Sequence, residues 1–185
     1  MQMKNKINYI STFIVLLLIM KISCGFSNDK FLLSAQSISK NENNNTITAK
    51  GNVNIKSDNY KLKANEIIYY LEEKKVYAIG NVIIFEESGN VIYASEAELT
   101  NDLKSNFIKN VGILLSDNSR LAASSARSIR NSNKTIYKNV VFTKCENCEE
   151  KTKKRVMWKL KAKKATHLKN SKIILYENVF LEAFN

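Results

Sequence analysis

The sequence predicts an all-β protein built from a stacked antiparallel repeat of about 29 residues. Three observations support this prediction. An Asn-Val pair recurs at a fixed spacing, short segments of alternating apolar and polar residues lie between the pairs, and no stretch after residue 28 keeps a helical apolar period. The chain has 185 residues, which is enough for one domain with its own core.

The repeat is marked by the Asn-Val pair, which occurs five times. Its successive steps are 29, 29, 29 and 39 residues, and a fixed period of this length is typical of a repeat architecture. The longer last step is explained by a cysteine-containing insertion at about 143–157. The five pairs begin at Asn52, Asn81, Asn110, Asn139 and Asn178.

Three apolar columns accompany the pair: the Val itself, the position two residues after it, and the position three residues before the Asn. The three positions are an even number of residues apart, so all three are predicted to face one side of an extended chain. The position just before the Asn has the same parity but is never a large apolar residue, which predicts a bend or bulge there. The columns are Val53, Val82, Val111, Val140 and Val179; Ile55, Ile84, Ile113, Phe142 and Leu181; and Ala49, Ala78, Phe107, Ile136 and Leu175.

Further alternating segments lie between these strands, and each is predicted to be another strand. They are 61–70, 91–99, 120–129 and 158–168, with turn signals at 41–45, 72–74, 87–90, 101–104, 117–119 and 131–133. Each repeat is thus expected to hold two to four strands. The ends of such a stack expose unpaired strand edges, which favours pairing with a strand of another protein.

The first 25 residues have the order of a secretory signal peptide. A basic region with Lys4 and Lys6 precedes an apolar run at 10–20, and small residues follow at 23, 25 and 27. The apolar run is about half the length of a membrane-spanning helix; an uncleaved anchor is the alternative. We expect a signal peptide at 1–25, a mature domain at 26–185 and export to the periplasm.

The formal net charge of +12 favours anionic partners, such as a phosphorylated glycolipid or an anionic membrane face. A solvated lysine-rich surface is the alternative. Nucleic acid is not predicted as a partner, because the sequence has no basic recognition helix and no platform of interleaved aromatic residues.

Cys145 and Cys148 form a Cys-x-x-Cys pair that has three interpretations. In an exported chain, a structural disulfide is favoured. A thioredoxin-like pair requires a helix start in a βαβ setting, and acidic neighbours disfavour it. A zinc site needs about four ligands, and the pair together with His167 supplies three. His167 by itself is interpreted as a surface or packing residue.

No catalytic constellation is found in the sequence, so the chain is predicted not to be an enzyme and to need no cofactor or metal. It has no defensible Ser-His-Asp set, Gly-rich phosphate loop or buried carboxylate pair. The acidic residues on the predicted strands, Glu66, Glu96 and Glu98, are interpreted as facing solvent.

Several segments resemble a known family. Residues 47–53 (ITAKGNV), 76–82 (VYAIGNV) and 64–70 (ANEIIYY) resemble the repeat of the OstA-like N-terminal domain of lipopolysaccharide-transport proteins. Residues 142–148 (FTKCENC), 158–164 (WKLKAKK) and 174–179 (ILYENV) resemble the segment that precedes the barrel in the lipopolysaccharide-assembly outer-membrane protein, the LptD family. The resemblance covers about residues 31–185.

The resemblance implies an open β-jellyroll at the periplasmic face of the outer membrane, with an apolar groove for acyl chains. Its implied partners are lipopolysaccharide, a periplasmic bridge protein of the same fold that pairs by strand edges, and the outer-membrane barrel with its plug lipoprotein. It also implies that a cysteine here pairs with cysteines of the barrel region. The expected groove lining is Val53, Ile55, Val82, Ile84, Val111, Ile113, Val140 and Phe142.

This sequence departs from the family in two ways. It has no proline, and it stops where the family continues into the barrel, so we expect it to correspond to the N-terminal part alone. Two other functions compete with lipid transfer: a structural or adhesive β-solenoid with a filled core, since core and groove residues alternate alike, and a thiol oxidoreductase.

Overall fold

The computed structural model describes residues 31–57, 60–100, 105–129, 133–144, 156–171 and 173–183. All regular structure in these ranges is β, which confirms the predicted all-β class, and none of them contains a helix long and apolar enough to cross a membrane. The strands are β1 (Leu32–Ser34), β2 (Ser37–Asn41), β3 (Thr46–Lys56), β4 (Tyr60–Tyr70), β5 (Lys75–Glu86), β6 (Val91–Thr100), β7 (Ser105–Leu114), β8 (Ser119–Ile129), β9 (Lys134–Lys144), β10 (Trp158–Leu168) and β11 (Ile173–Ala183).

The strands form one open antiparallel sheet in which β3 to β11 follow one another in chain order. β1 and β2 both pair with β3, on its second and first halves respectively, so together they act as one interrupted edge strand. Each complete repeat contributes two strands. Because sequential pairing leaves the sheet unclosed, β11 forms the opposite edge.

The Asn of every Asn-Val pair has a left-handed backbone conformation. The φ angles are 46° at Asn52, 48° at Asn81, 51° at Asn110, 50° at Asn139 and 55° at Asn178. Asn adopts this region more readily than most residues. A single left-handed residue interrupts the alternation of a strand, so all five odd-numbered strands from β3 to β11 bend along one line across the sheet. This confirms the bend or bulge predicted next to the Asn-Val pair.

The bend has two forms, and the difference corrects one prediction. In β3, Gly51 and Asn52 are both left-handed, the pairing register shifts by one residue, and inward residues Ala49 and Val53 lie four apart. In β7 only Asn110 is left-handed, the register across the bend is kept, and inward residues Ile108 and Val111 lie three apart.

The prediction that the third column faces inward throughout is therefore wrong for Phe107, Ile136 and Leu175. In these three strands only the Asn is left-handed, so the residues of the half-strand before the bend exchange faces: those predicted to point inward point outward. Leu175 is largely exposed and the guanidinium of Arg127 lies 5.1 Å from the Phe107 ring centroid. Ile108, Tyr137 and Tyr176 occupy the inward positions instead.

The core consists of rows of side chains that run across the sheet. Beside the bend, valines on odd-numbered strands alternate with alanines on even-numbered strands, so large and small side chains alternate along the row. The cross-strand neighbours in this row are Val53, Ala64, Val82, Ala94, Val111, Ala123, Val140, Ala162 and Val179. A larger row lies next to it: Ile55, Leu62, Ile84, Ile92, Ile113, Leu121, Phe142, Leu160 and Leu181.

The bend line itself is polar and hydrogen-bonded. Asn110 Nδ2 donates to Ser95 Oγ at 3.1 Å, and Asn139 Nδ2 donates to Ser124 Oγ at 3.1 Å. The Ser124 hydroxyl in turn donates to the carbonyl of Lys138 at 3.0 Å. These bonds satisfy backbone and side-chain groups where the regular ladder is interrupted, so Asn at the bend supplies both the left-handed conformation and a cross-strand contact.

Candidate binding cleft

The bend line divides the sheet into two halves, which we call its arms. A cavity of about 730 Å³ is lined by residues of both arms. Its lining joins residues from opposite strand ends: Glu86, Asn90 and Leu115 come from one end, and Asn133 and Lys169 come from the other. Successive hairpins of a meander lie at alternate ends of the strands. The sheet therefore curls far enough to bring its two strand ends toward each other around an internal cleft.

The floor of the cleft is apolar. It is formed by β5 to β8, at the places where inward rows from both arms converge. These side chains offer no hydrogen bond, so the floor favours hydrocarbon over water. Its members are Ile84, Ile92, Ile108, Val111, Ile113 and Ala126.

The rim of the cleft is polar and has two different sides. One side carries Glu86 and Asn90, with Asn90 Nδ2 donating to the Glu86 carboxylate at 3.0 Å. The other side carries Lys134 and Lys169. An apolar floor beneath a charged rim is suited to an amphipathic ligand with a hydrocarbon part and a polar headgroup.

Polar side chains also line the wall below the basic side of the rim. Asn106, Ser128, Thr135 and His167 lie here, although the row that contains them is apolar in the earlier strands. The hydroxyls of Ser128 and Thr135 are 3.4 Å apart. The inner face is therefore apolar near the bend and becomes polar toward the ends of β7 to β10.

The eight residues expected to line a groove all belong to the two inward rows. Ile84, Val111 and Ile113 line the cleft. Among the others, Phe142 is half-buried, with its ring centroid 6.0 Å from that of Trp158. The remaining four are buried in the same apolar cluster: Val53, Ile55, Val82 and Val140.

Other predicted functional residues have varied positions. His167 is half-buried in the cleft wall, while Cys145 and Cys148 lie outside the described residues. Of the acids expected to face solvent, Glu96 does so, whereas Glu66 and Glu98 are half-buried. The Glu98 carboxylate accepts a hydrogen bond from Asn106 Nδ2 at 2.8 Å.

The even-numbered strands supply cleft residues that were not predicted from the sequence. Ile92 and Ala126 lie on β6 and β8, between the columns that the Asn-Val pair defines. These segments were predicted as strands, but a second recurring pattern could also have identified their inward residues: an Ala, two polar residues and a further Ile or Ala. It occurs at 64–67 (ANEI), 94–97 (ASEA), 123–126 (ASSA) and 162–165 (AKKA).

Titratable groups in the cleft reflect its limited contact with water. Burial raises the pKa of Tyr137 to about 12, and the Glu86 carboxylate and Tyr176 add to the increase. Burial lowers the pKa of His167 below its ordinary value of 6.5, and the neighbouring Lys169 lowers it further. Both residues are therefore neutral at pH 7. Among the described residues, no group of three or more His, Cys, Asp or Glu side chains is arranged to hold a metal ion.

The lowered pKa of His167 predicts that acid destabilises the fold. The unfolded chain binds the proton more tightly, so the free energy of unfolding should fall as pH drops from about 6.5 to the lower pKa of the folded state. His167 is the only histidine in the chain. Urea denaturation at pH 7.5 and pH 5.5 should show a smaller pH dependence for His167→Gln than for the wild type; equal dependence would contradict the assignment.

Both edges of the sheet carry exposed apolar side chains. On β11, Leu175, Phe180 and Leu181 are exposed, and on the opposite edge Leu32 and Ile38 are exposed. An unpaired edge strand with apolar side chains favours association with another β-strand.

Known proteins resemble the chain in structure and not in sequence. No family model matches the chain, and no curated protein matches it. Among solved structures, the chain is similar to LptH of Pseudomonas aeruginosa, described as the LptA-homologous periplasmic component of the conserved lipopolysaccharide transport device. The identity is 8%, the TM-score is 0.34, and the match covers 85% of this chain and 96% of that chain. At these values the similarity identifies neither a family nor a function.

Proposed function

We propose that the chain is a periplasmic module that binds lipopolysaccharide and transfers it toward an outer-membrane assembly barrel. The observation that carries the proposal is the amphipathic cleft, whose apolar floor of Ile84, Val111 and Ile113 lies below a charged rim. Its volume of about 730 Å³ is in the range of small-molecule sites. Each methylene moved from water to such a floor contributes about 0.8 kcal/mol.

Transfer of this kind requires no bond chemistry. The inward rows offer similar aliphatic side chains on successive strands, so an acyl chain can move from one strand to the next with little change in free energy. In this mechanism the four buried residues of the expected lining contact lipid only when the two arms part. They are Val53, Ile55, Val82 and Val140.

Transfer of the lipid from one protein to the next requires contact with neighbouring proteins at the sheet edges. β11 and the interrupted β1–β2 strand each leave one edge open in the described sheet. We propose that a periplasmic bridge protein of the same fold pairs with one edge, and that the barrel with its plug lipoprotein lies beyond the other. In this proposal residues 1–25 direct export, and 26–185 form the transport domain, in which Cys145 and Cys148 are the candidates for disulfide formation.

One observation favours a filled-core structural solenoid instead. Val53 and Val82 are each only 1% exposed, so the interior near β3 to β5 is occupied by protein. The two functions differ in what the cleft contacts in solution: a lipid-transfer module places acyl chains beside Ile113, whereas a filled solenoid does not.

Photocrosslinking tests the proposal. A benzophenone amino acid is placed at Ile113, which faces the cleft, and in a control at Tyr93, which faces outward and pairs with Gly112 on the neighbouring strand. Irradiation with purified lipopolysaccharide is expected to give a lipid adduct at Ile113 and none at Tyr93. Absence of an adduct at Ile113, or equal adducts at both positions, would favour the solenoid.

A further inference from the structure

One end of the cleft brings two lysines together on neighbouring strands. Lys134 begins β9, and Lys169 directly follows β10. The backbone amide of Lys169 donates to the carbonyl of Asn133 at 3.1 Å, which fixes these strand ends side by side. Both lysines are exposed and both border the cavity, so their ammonium groups can reach a ligand in the cleft.

The charges of these two lysines are not neutralised within the part of the chain that the structure describes. Several basic residues on the outer face have acidic cross-strand neighbours; for example, Lys109 is 3.0 Å from Glu96, and Lys164 is 2.7 Å from Glu177. Neither Lys134 nor Lys169 has a carboxylate within ion-pair distance among the described residues. The rim therefore keeps two positive charges available for an anion.

Neutral hydrogen-bonding groups lie directly beneath these charges. His167 is next to Lys169 along the strand direction, and its neutral imidazole retains one N–H donor. Thr135 adds a hydroxyl to the same wall. Ammonium, imidazole and hydroxyl groups on one side of a cavity are donors whose hydrogen bonds phosphate oxygens can accept.

The opposite rim repels the same ligand. Glu86 already accepts hydrogen bonds from Asn90 Nδ2 at 3.0 Å and from Ser88 Oγ at 3.3 Å. Its negative charge disfavours an anion on that side and directs it toward the lysines. The cleft thus has a defined polarity, with a basic side, an acidic side and an apolar floor between them.

We propose that Lys134, His167 and Lys169 form a subsite for a phosphate group on the headgroup of the lipid whose acyl chains occupy the cleft floor. This inference rests on the proposed lipid-binding function and specifies how the bound lipid is oriented. Phosphate binds at the β8–β10 end of the cleft, and the hydrocarbon lies toward Val111 and Ile113.

The test compares two charge-neutralising double variants with two lipids. Lys134→Gln/Lys169→Gln removes the subsite charges, and Lys56→Gln/Lys63→Gln removes the same charge from exposed outer-face positions. The lipids are bisphosphorylated lipid A and the same lipid A after enzymatic removal of its phosphates. Dissociation constants are measured in one detergent buffer at fixed salt, and thermal unfolding verifies that all proteins are folded.

The subsite variant is expected to bind phosphorylated lipid A about tenfold more weakly than the wild type, since hydrogen bonds to charged groups contribute appreciably. Its affinity for the dephosphorylated lipid and both affinities of the control variant should change less than about twofold. If the wild type binds both lipids but the subsite variant weakens neither, or weakens both equally, the headgroup subsite is wrong while lipid binding stands. If the wild type binds neither lipid, the proposed function fails as well.

Discussion

Replacing Leu62 by alanine is expected to lower the free energy of unfolding by about 2–5 kcal/mol, the range for truncation of a buried leucine. The Leu62 side chain is 1% exposed and lies in the larger inward row between Ile55 and Ile84. Both neighbours are held by the hydrogen-bonded sheet, so they can move little to fill the space. Urea denaturation followed by far-ultraviolet circular dichroism should show a lower midpoint with an unchanged slope.

The same row contains a matched control at the edge of the sheet. Leu181 occupies the equivalent position on β11 but is 70% exposed. Leu181→Ala is therefore expected to change stability by no more than about 0.5 kcal/mol. A large loss at Leu181 would mean that another chain covers β11 in solution, and a loss below about 1 kcal/mol at Leu62 would contradict the core described here.

The strands and the bend could be predicted because both depend on local chemistry. Alternating segments such as 158–168 coincide with the strand β10 from end to end. The bend was indicated by the position just before each Asn, which has the parity of the inward columns but is never a large apolar residue. The left-handed conformation of the Asn itself explains the bend, because Asn and Gly adopt it with least strain. The spacing of the Asn-Val pairs and the turns between them predicted two to four strands per repeat, and the structure has two.

Which residues of the half-strand before the bend point inward could not be predicted from even or odd spacing alone. It depends on whether one or two residues are left-handed, and Gly-Asn differs from Lys-Asn in this respect. An extended strand places Phe107 and Val111 on one face, but the single left-handed Asn110 places Ile108 there instead. A one-residue change in backbone conformation thus exchanges the two faces for half a strand.

The position of the cleft depends on how far the sheet curls, and no local pattern encodes this. The residues of one column are chemically alike and share one buried cluster, yet Val111 lines the cleft while Val53 and Val140 do not. The charged rim was also missed, because Glu86 and Lys169 are distant in sequence and meet at one cavity only through the curl.

Replacing Gly80 by valine is expected to destabilise the protein by about 1–3 kcal/mol because the change strains the bend. Gly80 has a φ of +74°, which a β-branched residue adopts only with strain. A Cβ atom at this position would also lie 2.8 Å from Asn65 Nδ2 and 3.2 Å from Asn65 Cβ on the neighbouring strand. Thermal and urea unfolding of the purified variant measure the effect.

Gly112→Val is the matched control for this substitution. Gly112 lies on the outer face of β7 without a left-handed φ, and a Cβ atom there would meet nothing within 4 Å. Valine should be neutral or stabilise the strand by up to about 1 kcal/mol, because it restricts the unfolded chain and favours extended structure. Equal losses at Gly80 and Gly112 would contradict the distinction between a strained bend and an ordinary strand position.

A second variant separates the two contributions at Gly80. Gly80→Asn places a Cβ atom equally close to Asn65 as Gly80→Val does, but Asn tolerates a left-handed backbone, as the adjacent Asn81 shows. If backbone strain dominates, Gly80→Asn should retain most of the wild-type stability, whereas Gly80→Val should not. If both variants lose the same amount, the close approach of Asn65 is the determining constraint, and the glycine is required for space rather than for its φ angle.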